Sequence, residues 1–98
     1  MIEVTYEGFK EWLKAKEPVA FVGLTRSPCN CPLARYLNGL TGQECSVYDN
    51  RFYMYPLNEY QNLQDWMRAF IKKVDGYSEY GYSIAAEYAL KCLLKVQP

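Results

Sequence analysis

Glu44-Cys45-Ser46-Val47-Tyr48-Asp49-Asn50-Arg51-Phe52-Tyr53-Met54-Tyr55 is the stretch that sets the architecture. It reads as two strands, Glu44 to Tyr48 and Arg51 to Tyr55, joined by an Asp49-Asn50 loop, with Pro56 closing the second strand. So short a loop fixes the register: Tyr48 faces Arg51, Val47 faces Phe52, Ser46 faces Tyr53, Cys45 faces Met54 and Glu44 faces Tyr55. Side chains alternate across a strand, so Cys45, Val47, Phe52 and Met54 share a core face. Glu44, Ser46, Tyr48, Arg51, Tyr53 and Tyr55 share the other, which is polar and rich in tyrosine.

Downstream of the hairpin, Leu63, Trp66, Met67, Phe70, Ile71 and Val74 recur at helical spacing opposite Gln61, Gln64, Asp65, Arg68 and Lys72. The glycine-punctuated segment from Asp75 through Gly76, Tyr77, Ser78, Glu79, Tyr80 and Gly81 to Tyr82 reads as a loop. Ser83 then caps a last helix reaching about Val96. Only Glu87, Lys91 and Lys95 form a polar stripe on that helix, so it is expected to be central to the domain or half buried in a partner.

Upstream, Thr5 caps a helix running to about Lys16, with Val4 and Phe9 as its hydrophobic staple and Phe9, Trp12 and Leu13 as its apolar stripe. Glu17-Pro18 stops it. Val19 to Leu24 is short and β-rich, which predicts a central strand buried on both faces. Asn30 or Cys31 caps a further helix with Pro32 in its first turn. Asn38-Gly39 ends that helix, Leu33, Leu37 and Tyr36 face inward, and Leu40 is free to pack back. The expected order is α-β-α-β-β-α-α, a single α+β domain over residues 1–98 with an antiparallel hairpin and helices packed on one sheet face.

Composition narrows the function classes. Eleven basic and eleven acidic residues balance, so nucleic acid and anionic lipid have no overall electrostatic pull. Weak mutual repulsion is compatible with self-association. The N-terminus has no basic and apolar leader pattern, and no apolar run approaches the roughly twenty residues of a membrane span, so a cytoplasmic address is expected. The four cysteines, Cys29, Cys31, Cys45 and Cys92, are then expected to be reduced thiols.

The chain has no histidine, which removes the usual general base and every histidine-containing triad or zinc set. It also lacks the glycine-rich phosphate-binding motifs. Cys29-Asn30-Cys31-Pro32 before a helix invites a thiol-chemistry reading, because a helix N-terminus favours thiolate. Its spacing is not the two-residue separation of common redox motifs. A four-thiolate zinc site would need Cys45 and Cys92, which the pattern places in the core. The carboxylates show no spacing that pairs them for acid–base catalysis.

Phe21-Val22-Gly23, Cys31-Pro32-Leu33-Ala34-Arg35-Tyr36-Leu37, Trp66-x-x-x-Phe70-Ile71-x-x-Val74-Asp75 and the alanine-rich helix after Ser83 together resemble a family of small, uncharacterised bacterial and phage proteins. The resemblance spans most of the chain and implies a shared fold, with no activity or site residue attached to it.

The expectation is therefore a non-enzymatic module with no cofactor, no metal and no indicated small-molecule ligand. Ten tyrosines point to its mode of action, since tyrosine supplies a large, stiff, amphipathic contact at little entropic cost. Tyr48, Arg51, Tyr53 and Tyr55 are the expected binding residues, for a second copy of the chain as a homodimer or for another protein. The alternatives are a redox protein or sensor using Cys29 and Cys31, and nucleic-acid association through base stacking, which the missing basic groove disfavours.

Overall fold

A computed structural model describes residues 3–55, 59–76 and 81–98. In chain order the elements are α1 (Tyr6–Lys14), β1 (Phe21–Leu24), α2 (Pro32–Thr41), β2 (Glu44–Val47), β3 (Arg51–Tyr55), β4 (Glu59–Asn62), α3 (Asp65–Asp75), β5 (Ser83–Ala85) and α4 (Ala86–Leu94). The protein is an α+β domain in which the expected order is present, with two short strands, β4 and β5, added.

The hairpin forms in the register its loop dictates, from Glu44 opposite Tyr55 to Val47 opposite Phe52. β4 extends it on the β3 side, pairing Arg51 with Asn62, Phe52 with Gln61, Tyr53 with Tyr60 and Met54 with Glu59. β1 and β5 form a separate two-stranded antiparallel sheet. Pro56 and the tyrosines at 77 and 80, read from the sequence as a strand end and loop residues, lie outside the described residues.

The core is built on aromatic packing from α1 and α3. Phe9 is fully buried, with ring centroids 5.1 Å from Phe70, 5.2 Å from Tyr36, 5.9 Å from Trp12 and 6.0 Å from Trp66. Cys45, Val47, Phe52 and Met54 close this core from the sheet side, as their alternation requires. Polar groups tie the chain's extremes together where burial leaves no water to do so. The Tyr6 hydroxyl donates to the Leu93 carbonyl (2.9 Å), joining first and last helices. Gln64 donates through Nε2 to the Val4 carbonyl (2.6 Å) and accepts at Oε1 from the Trp66 indole (2.8 Å).

Thr5 caps α1 as expected, its hydroxyl accepting the Gly8 N–H (3.0 Å), and Val4 and Phe9 are both buried. Cys31 caps α2 through Sγ, which accepts from the Ala34 N–H. Three other expectations are overturned. β1 is not a central strand buried on both faces. Val22 is buried, but Phe21 is 48% exposed, Val19 lies outside the strand, and among the described residues the strand's one paired neighbour is β5.

α2 does not stop at Asn38-Gly39. The Asn38 side chain accepts the Cys45 N–H (2.7 Å) from within the helix, which continues to Thr41 and ends on Gly42 in the left-handed region. Leu40 is consequently exposed rather than packed back. Ser83, finally, does not cap the last helix, because its backbone is needed opposite Leu24. The first N–H groups of α4 instead meet carbonyls of the 18–20 segment, Ala86 N to Ala20 O and Glu87 N to Pro18 O, both 2.9 Å. The helix ends at Leu94, capped by Lys95.

One side of α4, Ala86, Ala89, Cys92 and Leu93, is buried, while Tyr88 and Leu94 stand in solvent. Among the described residues no helix is long and apolar enough to cross a membrane.

Candidate functional site

The outer face of the three-stranded sheet carries Glu44 and Ser46 from β2, Arg51, Tyr53 and Tyr55 from β3, and Tyr60 and Asn62 from β4, with Tyr48 following β2. All four residues expected to bind are brought to this face, and three of them, Tyr48, Arg51 and Tyr55, are exposed. Tyr53 is half-buried because neighbours flank it: the Tyr55 ring at 4.3 Å edge-on and the Tyr60 ring at 4.5 Å. Arg51 lays its guanidinium over Tyr60 at 4.2 Å, a cation–π contact that ties the two side chains together. The Tyr55 hydroxyl reaches Ser46 and Tyr48; desolvation first, and Tyr48 after it, hold its phenol above the ordinary range. The result is a ridge of stiff aromatic rings with hydroxyls and one guanidinium along it.

Tyr60 was not among the expected residues. Glu59-Tyr60-Gln61-Asn62 carries no apolar alternation, and Gln61 was expected on the polar side of the following helix; pairing to β3 instead makes the segment a strand, and α3 starts only at Asp65. Ser46 lies on this polar face but not in solvent. It is buried, with its hydroxyl 3.3 Å from the Cys29 thiol.

Cys29 and Cys31 fall in different surroundings. Cys29 is exposed, whereas Cys31 is buried and its thiol is pushed up to about 11, chiefly by burial. Cys45, held above its usual value by burial, and Cys92 sit in the core. At neutral pH a mild aromatic disulfide reagent should therefore modify Cys29 within minutes and leave the other three thiols unreacted until denaturant is added. Ellman titration with and without urea checks this. Among the described residues no cluster of three potential metal ligands forms.

No family model, curated protein or solved structure matches this chain.

A second concave feature adjoins the aromatic ridge at Tyr48. A cleft of about 250 Å³ opens between the 26–31 loop, the end of β2 with its turn, and α3. The loop is held by backbone hydrogen bonds from both sheets, Leu24 N to Asn30 O (2.8 Å) and Val47 N to Pro28 O (2.9 Å). Arg26 occupies the left-handed region (φ 52°), uncommon for a side chain of its size. Its N–H donates to Asp75 Oδ1 (3.1 Å) and its guanidinium to the Gly76 carbonyl (3.2 Å), contacts that hold this conformation.

Proposed function

We propose that the protein is a non-enzymatic interaction module that self-associates through the outer face of the β2-β3-β4 sheet. The observation that carries this reading is the row Arg51, Tyr60, Tyr53, Tyr55, in ring contact throughout and exposed at both ends. Rings already held by one another lose little freedom on binding, and tyrosine with arginine is the composition of binding hot spots. The balanced charge of the chain opposes neither like-with-like contact nor a foreign protein partner. The Arg51 cation is stacked on a ring instead of lining a basic groove, which favours protein over nucleic acid. A cytoplasmic location, with its four thiols reduced, and membership of the small bacterial and phage family belong to the same proposal.

Light scattering on a size-exclusion column across a dilution series, under reducing conditions, tests it. A dimer is expected, and Tyr60→Ala should weaken it about 30-fold, equivalent to about 2 kcal/mol for a central aromatic. The same variant should lose no more than about 1 kcal/mol of folding stability, the range of one cross-strand pair. A wild-type protein that stays monomeric at every concentration would rule out self-association and direct the search to a foreign partner.

A further inference from the structure

The buried serine and threonine side chains among the described residues are Thr25, Ser27 and Ser46, and two of them are satisfied within the fold. Thr25 Oγ1 accepts the Tyr82 N–H (3.0 Å), and the Ser46 hydroxyl lies 3.3 Å from the Cys29 thiol. Ser27 is the exception. It is 5% exposed, and its carbonyl accepts the Asn30 and Cys31 N–H groups (3.2 and 2.8 Å), which pin it in the 26–31 loop. Its hydroxyl makes no hydrogen bond among the described residues.

A polar group buried this deeply ordinarily finds a partner, and leaving it without one is costly. Among the described residues no side-chain polar atom sealed from solvent lacks a partner, so Ser27 Oγ still meets solvent, and the surface that Ser27 lines is the cleft beside Tyr48. The other polar groups of the cleft are engaged elsewhere. Cys31 Sγ accepts the Ala34 N–H at the start of α2, Asp75 holds the Arg26 N–H, and the Arg26 guanidinium donates to the Gly76 carbonyl. Asp49 is exposed on the turn, where water solvates it. The apolar wall comes from three elements, Pro28 of the loop, Val47 of β2 and Ile71 of α3. What the cleft leaves open is one hydroxyl beside an apolar surface, which suits an uncharged occupant with an oxygen acceptor and a short aliphatic body.

We propose that this cleft binds a small neutral amide, its carbonyl oxygen accepting from the Ser27 hydroxyl, its aliphatic body against Pro28, Val47 and Ile71, and its N–H groups at the open, polar mouth. The volume of about 250 Å³, below the range of about 300–1,000 Å³ usual for drug-sized ligands, limits the occupant to a free aliphatic amide or the end of a glutamine side chain. Ser27 and the apolar wall lie off the outer face of the β2-β3-β4 sheet, so this proposal does not rest on self-association.

The test is an amide chemical-shift titration of the whole chain with butanamide, beside sodium butyrate and n-butylammonium chloride at equal ionic strength. Butanamide should shift Ser27, Val47 and Ile71 saturably, with a millimolar Kd as expected of a ligand with about six heavy atoms. The two charged analogues should bind clearly more weakly. Ser27→Ala should weaken butanamide about tenfold, the loss of one neutral hydrogen bond, while leaving the urea midpoint unchanged or slightly raised, because the hydroxyl has no partner in the fold to lose. Ile71→Ala keeps the hydroxyl but shortens the apolar wall, and should weaken binding about threefold.

Nα-acetyl-glutamine methylamide separates the two sources: binding at least as tight as butanamide identifies a partner's glutamine side chain, and weaker binding identifies a free amide. Absence of saturable shifts, equal or tighter binding of either charged analogue, full affinity in Ser27→Ala, or a clear fall in its urea midpoint would overturn the proposal.

Discussion

Gly23→Ala should cost at least about 3 kcal/mol of folding stability, the upper range for forced overpacking, and leave little folded protein if the domain is as marginal as most of its size. A Cβ at this position would stand 2.6 Å from both the Asn30 carbonyl oxygen and the Pro32 nitrogen, and 2.8 Å from the Cys31 carbonyl carbon. These are backbone atoms, and they cannot move away cheaply. The Leu24 N–H is bonded to that same Asn30 carbonyl, and Cys31 and Pro32 begin α2. β1 and the start of α2 therefore touch main chain to main chain, at the irregularity in the β1–β5 register between Phe21 and Gly23.

The comparison is Gly39→Ala, in the body of α2, where an added Cβ meets nothing within 4 Å. It should stabilise by about 0.5–1 kcal/mol through helix propensity and unfolded-chain entropy. Urea denaturation of the two variants should show opposite signs; equal effects would remove the close-approach argument.

Phe9→Ala should cost about 3–5 kcal/mol, the range for emptying a buried aromatic site. Phe9 is fully buried and its ring touches four others drawn from α1, α2 and α3. Those neighbours are fixed by further contacts, Trp66 through its indole to Gln64 and edge-on against Tyr6 (5.6 Å), so the site cannot simply collapse. Phe9→Leu keeps most of the volume and should lose clearly less. Tryptophan fluorescence during urea unfolding follows both, because Trp12 and Trp66 flank the ring. A Phe9→Ala loss below about 1 kcal/mol would mean that the aromatic cluster contributes far less to stability than its packing implies.

The contrast between these positions and the aromatic ridge separates what stabilises from what is presented. Phe9 and Gly23 are surrounded on every side by protein, whereas Tyr60 is 57% exposed and held by two neighbouring side chains. Truncation at the first two should move the unfolding curve, and truncation at Tyr60 should move association.

The sequence by itself determined the hairpin, its register and its two faces, since a two-residue loop and period-two alternation leave no freedom in either. It likewise determined α1 with its Thr5 cap and the apolar stripe of α3, because hydrophobic periodicity is written within a few consecutive residues, although α3 starts later than the stripe does. It therefore placed Tyr48, Arg51, Tyr53 and Tyr55 on one surface. Only the tertiary structure decided what depends on groups distant in the chain. Asn38 looked like a helix stop until the Cys45 N–H used its side chain, and Ser83 looked like a cap until Leu24 used its backbone.

β4 and with it Tyr60 became visible only through pairing with β3, for no local pattern marks a polar four-residue strand. The cleft was beyond any local reading as well. Arg26, Asp49, Ile71 and Asp75 come from separate parts of the chain, and only the folded loop, turn and helix bring them to one rim.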